Sequence, residues 1–363
     1  MINIIADKDI PNLDNHLNEL LDSNFFRIKY LHYLDININT IKDCEVLLVR
    51  STIQVNESLL KETNIKFVGS ATAGINHLDM NYLNKNNIQW DYAPGCNSSS
   101  VTHYILAVFA ELIDQSKLNY NSKIGIVGYG NIGKKIANYL YSLGFTVLIN
   151  DPFLKDPSLV DIKEILDCDL ISLHVPYIED GDHPTQNLID EKELLELKNK
   201  ILINSSRGGI VNEKALLKQK SITYISDVWN NEPLPSKALV KQSLISTPHI
   251  AGYSKQGKLN SSKLVAYSVA RYIEASKNMN PFNFKDPSDK KVPHYEPTDL
   301  ESQPYPLHVF KDSFNIKSIS TEMKKLFNQD IKNEFLSKAF NQMRSSHPKR
   351  DDYDSKEFIE KYT

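Results

Sequence analysis

The chain has 363 residues, of which 41% are hydrophobic and 24% charged, with a formal net charge of −3 and three cysteines. That length gives room for two or three domains with real cores, and so small a net charge excludes a global attraction to nucleic acid or to an anionic membrane. Cys44, Cys96 and Cys168 are widely spaced and odd in number, without CxxC or a neighbouring histidine cluster. The thiols read as buried and free in a reducing compartment, and no metal site is expected.

The N-terminus, MINIIADKDIP, reaches an aspartate after six residues, too soon for the apolar core of a signal peptide. The longest apolar run elsewhere, 104–110, is far too short to span a bilayer, so the expectation is a cytoplasmic protein. Short apolar or β-rich runs at 1–6, 45–49, 66–70 and 88–92 predict a first α/β domain of parallel strands. Three of these runs end in polar loops: Arg50-Ser51-Thr52, ATAGINH at 71–77 and APGCN at 93–97. Ligands of open α/β sheets gather at the carboxyl ends of strands, which makes these loops one wall of a cleft. Ser98 to Ser100 can cap a helix running to about 115, the bridge into a second domain.

Residues 123–151, KIGIVGYGNIGKKIANYLYSLGFTVLIND, predict strand, glycine turn, amphipathic helix and second strand. In the fingerprint Gly128-Tyr-Gly130-Asn131-Ile132-Gly133, the first glycine allows the tight turn and the second lets backbone approach a pyrophosphate. The third lets the helix pack closely on the strand, leaving N–H groups at the helix start for the phosphates. Asp151, eighteen residues after the last glycine, is placed to accept hydrogen bonds from ribose hydroxyls and to repel a 2′-phosphate, which favours NAD over NADP. Four more strands are predicted at 169–174, 200–205, 223–228 and 244–247, completing a six-stranded parallel sheet. From 252 to about 278 a helix returns toward the first domain. The prolines at 281, 287, 293, 297, 304 and 306 then mark a linker, and 313–343 regains helical spacing.

Hydride transfer next to a nicotinamide needs a cation for a carboxylate or carbonyl and a base for the hydroxyl proton. Arg207 in SSRGG suits the first need, since its planar fork matches a carboxylate and stays charged. His249 in TPHIAG suits the second, with Glu232 in NNEP able to hold its other ring nitrogen and raise its pKa. Each follows a predicted strand of the nucleotide domain. The bland reading of each, a surface turn, a solvated glutamate or a satisfied loop histidine, weakens because all three share that placement. His174 reads as packing or cofactor contact, and His77 and His103 as structural.

GYGNIG with Asp151, LHVP, NSSRGG, DVWNNEP and PHIAG together resemble the NAD-dependent D-2-hydroxyacid dehydrogenases. A narrower resemblance, to the branch that oxidises 4-phospho-D-erythronate at C2 in pyridoxal-phosphate biosynthesis, is carried by LLVRSTIQVNESLL, FVGSATAGINHLD, APGCN, YIEDGDHPTQNLI and HIAGYS. The resemblance covers about residues 1–275, and beyond them FNQMR is similar to part of that branch's C-terminal dimerisation domain. It implies two Rossmann-like parallel-sheet domains, one flavodoxin-like and one dinucleotide-binding, with a small C-terminal α+β dimerisation segment. The implied boundaries are 1–97 with about 253–280 as the substrate-binding (lid) domain, 98–252 as the NAD-binding domain and 281–363 as linker and dimerisation segment.

The resemblance further implies Arg207, Glu232 and His249 as the catalytic set, with His249 as proton donor and acceptor. It implies NAD contacts at Asp151, Val175, Asp227 and Gly252, substrate contacts at Ser51, Thr72 and Tyr253, and a homodimer. Arg50, Ser51, Tyr253 and Lys258 are the residues available for the substrate phosphate. The chain departs from the family at His103, at Ser205-Ser206 and at Gln256 and Asn260. Two rival readings stay open: a dehydrogenase of another D-2-hydroxy acid such as 3-phosphoglycerate, and a non-catalytic NAD(H)-sensing corepressor.

Overall fold

The computed structural model describes residues 1–277 and 305–362, which divide into two units. The first holds 1–97 and 254–277. Its strands β1 (Ile2–Asp7), β2 (Phe26–Leu31), β3 (Val46–Val49), β4 (Phe67–Ser70) and β5 (Gln89–Tyr92) form one parallel sheet in the order β2-β1-β3-β4-β5, the flavodoxin-like arrangement. Strands β3 and β4 are buried along their whole length, as their unbroken apolar runs require. Strand β2, FRIKYL, has no such run and was not foreseen. It is an edge strand with Arg27 and Lys29 on its wet side, and that charge is what hides it from an apolar count.

The returning helix, Lys255–Ser276, starts three residues later than expected because Ser254 caps it, accepting the Gly257 N–H at 2.8 Å. It lays Val265, Ala266, Val269, Ala270 and Ile273 on the first sheet against Ile2, Ile4 and Phe67.

The second unit holds 98–253 and 305–362. Strands β6 (Lys123–Val127), β7 (Thr146–Asn150), β8 (Leu170–Leu173), β9 (Ile201–Asn204), β10 (Thr223–Ser226) and β11 (Ile245–Ser246) form the six-stranded parallel sheet, ordered β11-β10-β9-β8-β6-β7. Alternate residues feed two cores. Ile124, Ile126, Leu170 and Ile203 pack with the helices Ser98–Asp114 and Asn131–Ser142 on one face, while Val127, Ile171 and Leu202 pack with Leu194, Leu216 and Val240 on the other. Chain order reverses at β6, which has β7 on one side and β8 on the other. The crevice where such sheets take their ligand therefore opens over the carboxyl ends of β6 and β8.

The C-terminal segment corrects one expectation. Among the described residues it is all helix and loop, Leu307–Ser313, Ile316–Phe327, Asn333–Ser345 and Lys356–Tyr362, and no strand supports the α+β reading. It is also not a body of its own, because most of its apolar residues recur at helical spacing and pack on its own chain, Phe335 and Ile359 being exposed. Leu307, Phe310, Phe314 and Ile316 join the core around Tyr104 and Ile105, and Met323, Phe327, Leu336 and Phe340 join that around Leu239 and Val240. Each such side chain contributes ~1.5–3 kcal/mol over leaving it in water. The proline-rich linker expected from 281 lies outside the described residues up to 304. No helix among the described residues is long and apolar enough to cross a membrane.

Candidate active site

The turn after β6 shows what each fingerprint glycine does. Gly128 has φ +94°, and a Cβ there would meet the His174 carbonyl oxygen at 2.7 Å, so the turn and the strand beside it both demand glycine. At Gly133 a Cβ would lie 1.9 Å from the Gly128 oxygen, which is the close helix-to-strand approach. At Gly130 no atom of the described residues lies within 4 Å, so the space a side chain would fill is open among them. Gly130 also precedes the helix Asn131–Ser142, and among the described residues no side chain caps that start. The N–H groups of Asn131, Ile132 and Gly133 thus form an uncapped cradle of the kind that takes a diphosphate. Asp151, at the end of β7, accepts the Tyr129 N–H at 2.8 Å with Oδ2 and the Phe153 N–H at 3.1 Å with Oδ1, which fixes the carboxylate against the turn. An open backbone cradle with an acid at the next strand end fits a dinucleotide.

Asp227, after β10, has a role that its sequence does not reveal. It is 1% exposed, and its two oxygens accept the N–H groups of Ile250 and Ala251, each at 2.8 Å, and the Thr247 hydroxyl at 2.6 Å. The His249 N–H donates to its carbonyl at 2.8 Å. One buried carboxylate therefore holds the whole 247–251 loop. Within that loop His249 has φ +58°, a left-handed conformation costly for a non-glycine residue and tolerated where surrounding bonds fix it. From the far side Arg350 closes the loop. Its guanidinium donates to the carbonyls of Ile250 (3.3 Å), Tyr253 (3.1 Å), Ser100 (2.6 Å) and Ala251. Burial lowers the Arg350 pKa to about 10, with Asp352 and Asp227 opposing.

The structure brings Glu232 to His249. Glu232 Oε2 meets His249 Nδ1 at 2.7 Å, and Oε1 accepts the Trp229 N–H at 2.8 Å. Burial pushes the Glu232 carboxyl up, but the His249 charge and hydrogen bond, the Trp229 N–H and the Arg344 charge outweigh it and hold the carboxyl below its ordinary range. A carboxylate at Nδ1 assigns the proton to that nitrogen. Nε2 makes no hydrogen bond among the described residues, and the side chain is 30% exposed.

Arg207 is set beside this pair by packing of two loops. A Cβ at Gly208 would strike the Trp229 carbonyl oxygen at 2.2 Å, the Gly209 N–H donates to the Asn230 side chain, and Asn204 Nδ2 donates to the Arg207 carbonyl at 2.9 Å. The SSRGG and DVWNNEP loops thus interlock. Arg207 donates from Nη1 to the Ser206 carbonyl at 2.7 Å. Burial lowers its pKa, Glu232 raises it and Arg344 lowers it again. Glu232 thus joins His249 by a hydrogen bond and Arg207 by its charge.

The remaining positions fall into place within their own units. Val175 follows β8 and would touch a Cβ on Gly128, while Gly252 and Tyr253 close the turn after Ala251, where the Tyr253 N–H donates to Ile250. In the first unit Ser51 is exposed after β3. Thr72, after β4, donates to the Gly74 carbonyl and meets the Ser70 hydroxyl, which in turn meets His77 Nε2 at 2.8 Å. Arg50 is already answered: its guanidinium pairs with Asp7 at 2.9 Å and with Asp9 at 2.7 Å. Lys258 lies in the first turn of the helix Lys255–Ser276. His174 Nε2 meets the Ser172 hydroxyl at 2.9 Å, and burial lowers its pKa to about 3. His103 Nε2 meets the Ser313 hydroxyl, and the ring is boxed by Phe310, Phe314, Tyr353 and Phe358. His103 is a packing group.

Comparison with known proteins agrees with this geometry. The family described as "D-isomer specific 2-hydroxyacid dehydrogenase, NAD binding domain" matches residues 110–251. An erythronate-4-phosphate dehydrogenase of Wigglesworthia glossinidia brevipalpis is 36% identical over 91% of this chain and 88% of its own length. That of Cellvibrio japonicus is 31% identical over 96% and 93%. Among solved structures, an NAD+-bound 3-phosphoglycerate dehydrogenase of Entamoeba histolytica superposes with a TM-score of 0.65 at 21% identity, covering 76% of this chain and 96% of its own. A D-lactate dehydrogenase of Aquifex aeolicus, complexed with NAD and lactic acid, gives 0.61 at 22% identity over the same shares. These two likenesses show the fold.

Proposed function

The chain belongs to the erythronate-4-phosphate dehydrogenase family of the D-isomer specific 2-hydroxyacid dehydrogenases, and from that membership and the site's geometry we propose that it oxidises 4-phospho-D-erythronate at C2, with NAD, to 3-hydroxy-2-oxo-4-phosphooxybutanoate. The step would serve pyridoxal-phosphate biosynthesis, in the cytoplasm. The observation that carries the reading is the His249–Glu232 pair at 2.7 Å beside the Arg207 loop, all on strand ends of the unit that carries the glycine turn.

Gly128, Gly130, Asn131, Ile132 and Gly133 would hold the NAD diphosphate, Asp151 the adenosine ribose, and the backbone around Val175, Asp227 and Gly252 the rest. Bound NAD supplies the hydride acceptor. The chain's own work is to orient and to move one proton. Arg207 takes the substrate carboxylate through two parallel hydrogen bonds, which fixes C2 and its hydroxyl. His249 Nε2 accepts the C2 hydroxyl proton as the hydride leaves, and the ionised Glu232 at Nδ1 stabilises the imidazolium that forms. In the first unit, Ser51 and Thr72 are assigned to substrate contact by family likeness.

We also propose that the protein is a homodimer, supported by the family likeness and by Phe335, an apolar side chain exposed on the helix Asn333–Ser345. The direct test is NADH formation from 4-phosphoerythronate by the purified protein, repeated with Arg207→Ala. The reading predicts turnover that the substitution cuts at least 10²-fold. Equal or better efficiency on 3-phosphoglycerate would transfer the assignment to that substrate, and tight NADH binding with no turnover of any hydroxy acid would favour the corepressor.

A further inference from the structure

Arg344 lies in the last turn of the helix Asn333–Ser345. Its Nε is buried with no hydrogen-bond partner, and its guanidinium makes no ion pair among the described residues. It lies over the Tyr253 ring, 5.6 Å from the centroid, four residues beyond His249. Its charge is felt at both members of the site that carry charge, lowering Glu232 and lowering Arg207. Glu232 forms no ion pair with it among the described residues, and its oxygens are bonded to His249 and to the Trp229 N–H.

Two guanidinium groups near one carboxylate repel each other, and an anion with more than one charge bound beside them would relieve that repulsion. A 2-hydroxy acid without a phosphate needs one such group, and Arg207 is that group. A phosphorylated acid brings a second, dianionic end, which a planar fork grips in two hydrogen bonds. Arg344 also lies outside residues 110–251, the stretch that matches the general nucleotide-binding family, so it is an addition to the shared machinery. Arg50, the obvious basic residue for this task, has its guanidinium paired with Asp7 and Asp9.

We infer that Arg344 binds the phosphate of the substrate, with the Tyr253 ring as the platform that holds its guanidinium in place, and that the C-terminal segment thereby sets specificity for a phosphorylated hydroxy acid. This rests on the proposed function. Charge-assisted hydrogen bonds of this kind correspond to roughly 10- to 100-fold in affinity.

The test compares kcat/KM for 4-phosphoerythronate with that for unphosphorylated erythronate, in the wild type, Arg344→Gln and Arg344→Lys. For Arg344→Gln the ratio of the two should fall by about 10- to 100-fold, mainly through KM of the phosphorylated acid, and Arg344→Lys should recover part of it. An unchanged ratio, whether both activities are kept or both are lost together, overturns the inference, because a merely structural arginine would affect both acids alike. Inorganic phosphate titrated calorimetrically into the NADH-bound protein supplies a readout that does not depend on turnover. Binding weakened at least 10-fold in Arg344→Gln supports the site, and equal binding in both proteins overturns it. If the wild type binds phosphate through Arg344 yet does not oxidise 4-phosphoerythronate, the fault lies with the proposed substrate and the anion site stands.

Discussion

Glu213 opens the short helix Glu213–Leu216, is 7% exposed, and accepts the Asn230 N–H at 2.8 Å directly beneath the loop that carries Glu232. Burial, with the nearby Glu232 charge adding to it and the Asn230 N–H opposing it, pushes its carboxyl from 4.5 up to about 7. The sign follows from linkage. Between those values the unfolded chain has released this proton while the folded chain still holds it, so stability falls as pH rises through the window, and the loss is complete above about 7. At ~1.4 kcal/mol per pH unit the window from 4.5 to about 7 is worth at most ~3.5 kcal/mol. Glu213→Gln keeps an acceptor for Asn230 and removes the charge. Urea unfolding, followed by Trp229 fluorescence in a Trp90→Phe background at about pH 5 and pH 8.5, should show the wild type losing about 2–3 kcal/mol more than the variant across that range. Parallel pH dependence in the two proteins would refute the reasoning.

Three further outcomes follow from the same contacts. Gly130→Ala should fold with a wild-type melting temperature yet bind NADH poorly, because its Cβ enters the open cradle, whereas Gly133→Ala should lose stability as well, because its Cβ meets the Gly128 oxygen at 1.9 Å; thermal melts with and without NADH separate them. Glu232→Gln should keep the fold and cut kcat on the order of 10²- to 10⁴-fold, since the amide can hold Nδ1 but carries no charge to stabilise the imidazolium. Burial lowers the pKa of His77 to about 4 and that of His174 to about 3. An unfolded histidine titrates near 6.5, so the unfolded chain takes up these protons first and the melting temperature should fall as pH drops below about 6.5.

The sequence made the sheet of the second unit legible because its strands are buried on both faces and read as unbroken apolar runs, as in ILIN of β9. The glycine turn was legible for the same kind of reason: each glycine answers a local steric demand that spacing alone can display. Strand β2 was not, since an edge strand with Arg27 and Lys29 has no apolar signature. Arg207, Glu232 and His249 could be picked out by position after strands. What sequence could not show is how their loops interlock through Gly208, Asn230 and Asp227, because those contacts join residues far apart in the chain. Arg344 and Arg350 lay beyond reach for that reason too. The likeness of FNQMR to a dimerisation domain does not point to the site and nothing local marks PKRDD; only packing of the C-terminal helices within the second unit brings these two cations to the histidine loop.

The account stands on His249 as the group that takes the hydroxyl proton while Glu232 holds its other nitrogen. Its most direct test is the single-turnover rate of NADH formation from saturating 4-phosphoerythronate in the wild type and in His249→Asn, each first shown to bind NADH. A loss of at least 10³-fold with NADH affinity retained is the predicted result. Near-normal turnover in His249→Asn would contradict it.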